Sequence, residues 1–77
     1  MPKLELGGFV IRAYLDDHAP PHVHVIRGPV NLRVYLNGQR GADRVYGRMS
    51  SADERRAVRV VAEHRKLLLK LWDEAHR

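Results

Sequence analysis

Apolar and polar residues alternate along the first half of the chain and take up a helical period in its last third. From Phe9 to Asp16, Phe9, Ile11, Ala13 and Leu15 point one way, and Val10, Arg12, Tyr14 and Asp16 the other. A period of two marks a half-buried strand. Gly7 and Gly8 before it mark a bend, and Leu4 to Leu6 is long enough for a short strand of its own. His22 to Arg27 reads as a second strand, with Val23 and Val25 on one face and His22, His24 and Ile26 on the other. Gly28-Pro29 is a turn, and Val30 to Leu36 a third strand with Leu32, Val34 and Leu36 inward. Asn37-Gly38 is a tight-hairpin signal. A fourth strand is expected between Gln39 and Tyr46, its register blurred by glycine and charge.

The last third predicts one helix. Ser51 followed by Glu54 has the spacing of a capping box. Nothing interrupts the run to Ala75, and Ala57, Val58, Val61, Leu68, Trp72 and Ala75 recur on one apolar face, widened by Val60, Leu67, Leu71 and Leu69. At about 1.5 Å per residue such a helix runs roughly 35 Å. That is long for so small a sheet and leaves one end to pack against a second copy or a partner. The expected fold is α+β: one domain over 1–77, with an antiparallel sheet of three to four strands within 4–46. One face of the sheet is packed by a long C-terminal helix at about 51–75.

Composition adds a charge. Fourteen Lys and Arg face nine Asp and Glu, a net charge of +5 over 77 residues, and only Lys3, Lys66 and Lys70 are lysines. Arginine's planar fork suits phosphate and carboxylate, so an anionic partner is expected, either RNA or DNA or an acidic protein. The bland alternative is a solvated surface of skewed charge. There is no cysteine, which excludes disulfides and thiolate metal sites. No apolar run is long enough to span a bilayer, and no secretory leader pattern appears. The expectation is a soluble cytoplasmic protein without a membrane role.

The corner between the first two long strands carries the candidate chemistry. Asp16-Asp17-His18-Ala19-Pro20-Pro21-His22-Val23-His24 places three of the five histidines around a stiff Pro-Pro turn. His22 and His24, two apart on a strand, leave the same face, and His18 can fold back toward them. Three readings stay open. The first is a divalent metal such as zinc, held by His18, His22 and His24, with Asp16 or Asp17 completing or orienting the set and His64 a weaker fourth candidate. The second is metal-free acid–base chemistry by the same histidines. The third is structural, with rings bonded to backbone and Asp17 bonding the turn. Residue types alone favour this third reading, so no cofactor is expected and no residue is assigned as catalytic. His64 lies in the helix's apolar arc and reads as a partly buried histidine bonded to backbone. The side of the sheet that the helix covers decides among these. Histidines against the helix form an enclosed cluster; histidines on the open face join whatever binds there.

A second pattern lies on the strands. Arg12-Ala-Tyr14, Arg33-Val-Tyr35 and Arg44-Val-Tyr46 all read Arg-x-Tyr, each pair opposite the inward apolar residues. Three such pairs on one sheet face suit single-stranded nucleic acid, whose bases stack on rings while guanidiniums hold phosphates. They suit a protein hot spot equally well. Ordinary cross-strand packing explains them too.

The motif Asp17-His18-x-Pro20-Pro21-His22-x-His24-Val25, with a strand before it, resembles the opening of the domain-of-unknown-function family 4160, small bacterial proteins. Glu63-His64-Arg65, with Leu68 and Trp72 further on, looks like that family's helix. The stretch from Arg40 to Ser50 departs from it, being longer and more basic than a short hairpin return. The resemblance implies membership of a two-gene, toxin–antitoxin-like pair, with a cognate small protein from the adjacent gene as partner. It supplies no catalytic residues. The favoured expectation is therefore a small basic binding module acting through Arg12, Tyr14, Arg33, Tyr35, Arg44 and Tyr46 on a cognate protein or nucleic acid. The alternative is a histidine-dependent, nuclease-like hydrolase using His18, His22 and His24.

Overall fold

A computed structural model describes residues 3–14, 16–37 and 41–76. Five strands, β1 (Lys3–Leu6), β2 (Phe9–Arg12), β3 (His22–Arg27), β4 (Val30–Tyr35) and β5 (Ala42–Tyr46), precede two helices, α1 (Ser51–Glu63) and α2 (Arg65–Ala75). The strands lie in chain order β1-β2-β3-β4-β5, each antiparallel to the next. The fold is α+β, as the patterning predicts, but the sheet has five strands where three to four were expected. The short Lys3–Leu6 segment pairs fully with β2, because Gly7 at φ 58° and Gly8 at φ 84° let the chain reverse in two residues. The inward position expected for Leu15, and the Gly38–Arg40 part of the expected hairpin, lie outside the described residues.

The core forms on one side of the sheet. Phe9, Ile11 and Ala13, then Val23 and Val25, then Leu32, Val34 and Leu36 pack against Ala57, Val60 and Val61 of α1 and Leu68, Leu71, Trp72 and Ala75 of α2. The helices therefore cover the Val23–Val25 face. Gly7 fixes the seat of α1: a Cβ there would lie 2.9 Å from Val60 Cγ2, and Arg56 Nη1 donates to the Gly7 carbonyl at 2.8 Å. No helix among the described residues is long and apolar enough to cross a membrane.

The expected single long helix is two helices, broken at His64. The His64 ring donates from Nδ1 to the Val60 carbonyl at 2.9 Å, and its amide is shared between Val60 and Val61 carbonyls at 3.2 Å each. A side chain competing for a carbonyl of the helical ladder is a recognised cause of a kink. The break leaves Leu67, predicted on the apolar face, 44% exposed. The helix start also differs by one residue. Ser50 is the cap, its Oγ accepting the Asp53 amide at 3.1 Å, and Ser51 is already helical.

This cap gives a clean prediction. Ser50→Ala should destabilise the fold by about 1 kcal/mol in urea unfolding, while Ser51→Ala should change stability by less than about 0.5 kcal/mol. A cost that falls on Ser51 instead would show the cap misplaced.

Candidate functional site

The central strand β3 carries the site. Its partners across the sheet align Lys3 with Arg12, Arg12 with His24, His24 with Arg33, and Arg33 with Asp43, one residue from each strand in a single row. His22 is opposite Tyr35. Cross-strand partners share a face. Arg12, Tyr14, Arg33 and Tyr35 thus gather with His22 and His24 on the face away from the helices. The third Arg-x-Tyr pair is split, and only Tyr46 stays on this face. A register shift between Asn31 and Leu32 sets Arg44 opposite Leu32 and Tyr46 opposite Asn31, so two residues of β5 span one step of β4. Asp43 takes the place opposite Arg33, and Tyr46 is 68% exposed at the sheet edge.

The histidines are on the open face and yet are buried, at 5% and 6% exposure for His22 and His24. The turn after β2 covers them. Tyr14 sets its ring edge-on to His24 with centroids 4.8 Å apart, Tyr35 lies 5.8 Å from His22, and the two imidazoles are 5.3 Å apart. Trp72, a member of the helix-side core, also meets His22 at 5.2 Å, so α2 touches this cluster at the start of β3.

Asp17 organises the turn. Its Oδ2 accepts the Tyr14 amide at 2.9 Å, and its own amide donates to the Tyr14 carbonyl at 3.1 Å. These bonds end β2 by replacing the strand ladder with a tight turn. They also leave Oδ1 facing the histidines, 3.1 Å from His24 Nε2 and 3.4 Å from His22 Nε2. On the far side of each ring, His22 Nδ1 lies 2.9 Å from the Pro20 carbonyl and His24 Nδ1 3.1 Å from Asn31 Oδ1. A carbonyl only accepts, so Nδ1 of His22 carries the proton and its Nε2 presents a lone pair when the ring is neutral. At His24 the Asn31 oxygen behind the ring and the Asp17 carboxylate in front of it both accept, so a neutral ring satisfies one of the two and a protonated ring both. Asp17 Oδ1 and the two Nε2 atoms converge, and protons or a cation among them offset the repulsion of their lone pairs.

Burial alone would raise the Asp17 carboxyl. The Tyr14 amide, the His24 hydrogen bond and the positive charge of His24 and His22 outweigh it, and its pKa lies below the ordinary carboxylate value. The three donor atoms all lie within 4.8 Å of one another. Ligands of a tetrahedral zinc at its usual bond lengths stand about 3.3 Å apart, close to the two Asp17–histidine spacings. Rings whose second nitrogen is bonded to a carbonyl are the usual form of histidine ligands.

Of the residues expected from the sequence, His22 and His24 meet. His18 is exposed and outside the trio, though it lines the adjoining cleft, and His64 is occupied with the Val60 carbonyl. Asp17 is the true third member. Asn31 and Asp43 were not legible as site residues at all.

The cleft has a volume of about 360 Å³ and is lined by Asp17, His18, His22, Arg33 and Tyr35 among others. It opens on the Asp17–His22 side of the cluster. Tyr35 Oη donates to Asp43 Oδ2 at 2.8 Å and receives Arg33 Nη1 at 3.5 Å. The hydrogen bond to Tyr35 outweighs burial and, with the charges of Asp43 and Asp17, holds the Arg33 guanidinium even more firmly protonated than usual.

His76 closes the turn against α2. Its Nδ1 bonds the Trp72 carbonyl at 2.7 Å and its Nε2 the Asp17 carbonyl at 2.8 Å. Both acceptors are carbonyls, so the protonated ring satisfies both bonds where a neutral ring satisfies one. The two carbonyls raise its pKa above the ordinary histidine value, with Asp17 and Asp73 adding to the effect. A raised folded pKa gives stability that is complete below the unfolded value of about 6.5 and is lost as pH climbs through the folded one. His76→Ala should therefore melt below the parent at pH 5.5, and the gap should narrow toward pH 9. A gap that is constant with pH would show that the ring acts through packing alone.

A family model described as Domain of unknown function (DUF4160) matches residues 8–73, from β2 into α2. No curated protein and no solved structure matches the chain.

Proposed function

The chain belongs to the family described as Domain of unknown function (DUF4160); that description names no activity, and we propose from the site itself that the protein is a histidine-dependent, metal-assisted hydrolase. The observation that carries this reading is the convergence of Asp17 Oδ1, His22 Nε2 and His24 Nε2 with the His22 tautomer fixed by the Pro20 carbonyl. Two imidazoles and one carboxylate beside an open cleft are a donor set for zinc that leaves a coordination position to water or substrate. A zinc ion so held would supply a water acidic enough to attack at neutral pH and would polarise the bond to be cleaved. The chain itself supplies orientation: Pro20 and Asn31 hold the rings, and the Tyr14 amide holds the carboxylate. The aromatic platform is less well supported, because Tyr35 is 6% exposed and Tyr14 is half-buried against His24.

A second reading keeps the binding module of a toxin–antitoxin-like pair, in a reducing cytoplasm that suits a chain without cysteine. The observation that favours it is the edge strand β5, where Arg44, Val45 and Tyr46 are all exposed. A cognate protein can add a strand to such an edge.

Zinc titration of metal-stripped protein separates the two. One ion should bind per chain. Asp17→Asn or His24→Gln should abolish binding, and Asn31→Ala should weaken it by about 10- to 100-fold. At a free zinc concentration 100 times Kd the parent should gain about 2.7 kcal/mol in unfolding and the His24→Gln protein nothing. Parent protein that neither binds zinc nor is stabilised by it removes the hydrolase reading. The binding module would then stand on capture of a partner that Arg44→Ala with Tyr46→Ala abolishes.

A further inference from the structure

We infer that the bond this site cleaves is a phosphodiester of single-stranded nucleic acid, with Arg33 holding the scissile phosphate in the cleft and Arg12 and Lys3 holding the strand beyond it. The inference rests on the hydrolase reading above and names its substrate class.

Arg33 is the first ground. It lines the same cleft as Asp17 and His22, its Nε is buried with no hydrogen-bond partner among the described residues, and its hydrogen bond to Tyr35 Oη is 3.5 Å long, with the charges of Asp43 and Asp17 acting on it from nearby. A guanidinium has five N–H groups in a planar fork that fits two phosphate oxygens at once. An anion in the cleft would bring the fork the acceptors it lacks, beside the carboxylate and imidazole proposed to hold zinc.

The second ground is the row across the sheet. Lys3, Arg12 and Arg33 stand on one face, on β1, β2 and β4, with His24 of β3 between the two arginines and Asp43 of β5 ending the row beyond Arg33. At about 4.8 Å between strands the row runs some 14 Å from Arg33 to Lys3. Cations aligned in this way repel one another, so the row favours an extended anion laid over it. A phosphate monoester or a small carboxylate fills the cleft but leaves Lys3 and Arg12 unused, whereas a phosphodiester chain reaches all three. A single strand is flexible enough to dip beneath the turn at residues 16–20, and a stiff duplex is not. Tyr14 and Tyr35 are already engaged with the histidines, so binding should follow the backbone and ignore base identity.

In the reaction a water oxygen would bond to phosphorus and one of its protons would pass to solvent; zinc held by Asp17, His22 and His24 would make that water more acidic. The bond from phosphorus to one ester oxygen breaks, that oxygen leaves with the electron pair, and it takes a proton from solvent. One water is consumed, and the products are a phosphate monoester and an alcohol. Nothing is oxidised or reduced.

The test uses the full zinc-loaded chain with fluorescent RNA and DNA strands of about 12 nucleotides and the matching duplex. Single strands of either sugar should bind more tightly than the duplex and be cut. Arg33→Ala should keep zinc affinity within about twofold, lower the slope of log affinity against log salt by about 0.7, and reduce cutting by about 100-fold. Arg33→Lys should recover the salt slope but not the rate, since lysine has no fork. Failure to bind zinc defeats the hydrolase reading itself. Zinc-loaded protein that ignores the strands, binds them with an unchanged slope after Arg33→Ala, or binds and leaves them intact overturns the present inference while the zinc site stands.

Discussion

A carboxylate cannot be buried without partners, and Asp17 obtains them from three parts of the fold at once. One oxygen takes the Tyr14 amide at the end of β2, and the other faces His22 and His24 at the start of β3. Its backbone carbonyl receives His76 from the end of α2. The turn between β2 and β3, the seat of the second helix and the geometry of the histidines are therefore set together. Loss of the Asp17 side chain removes more than one interaction, because the Tyr14 amide and His24 lose an acceptor and His22 loses the carboxylate it faces.

The other determinant is the two-residue period of β3, the middle strand. Val23 and Val25 point into the core while His22 and His24 point the opposite way, and both sets are buried. A middle strand buried on both faces is usually apolar throughout. Here the second layer is a thin polar one made by the turn, Tyr14, Tyr35 and the reach of Trp72. The site is thus enclosed on the side of the sheet that carries no helix, and Arg33 and His18 border the opening to solvent.

Much of this was legible in the residues. Period two placed β2, β3 and β4 and their inward sets, and the His-x-His spacing put both imidazoles on one face. What was not legible depended on choices between neighbours of equal propensity. Asp16 and Asp17 are chemically the same, and only the hydrogen bonds to Tyr14 select the second. Ser50 and Ser51 are both good caps, each with an acidic residue three further on, and the helix begins one residue earlier than the capping-box spacing implied. The displaced Arg44–Tyr46 pair reflects a bulge in β5, which leaves no mark in composition. His64 reads as a core position by period, yet its ring takes the Val60 carbonyl and divides the helix.

The energetic position of the cluster bears on whether it acts. A domain of this size buries only about 60% of its unfolded surface, so its margin of stability is thin. A buried carboxylate with two imidazoles is a costly way to fill that layer, since well-packed apolar groups in place of buried charges are often neutral or stabilising. The turn could have been closed by the Pro-Pro corner and a single hydrogen-bonded aspartate. Instead, two further titratable rings are directed at the same oxygen, each oriented from behind by an acceptor, and an arginine with an unpartnered buried nitrogen lies beside them. Departures from the locally most stable choice concentrate at functional sites. In this small fold three of them, Asp17, His22 and Arg33, line one cleft and the fourth, His24, lies directly behind Asp17, and that coincidence is the physical ground for the chemistry proposed there.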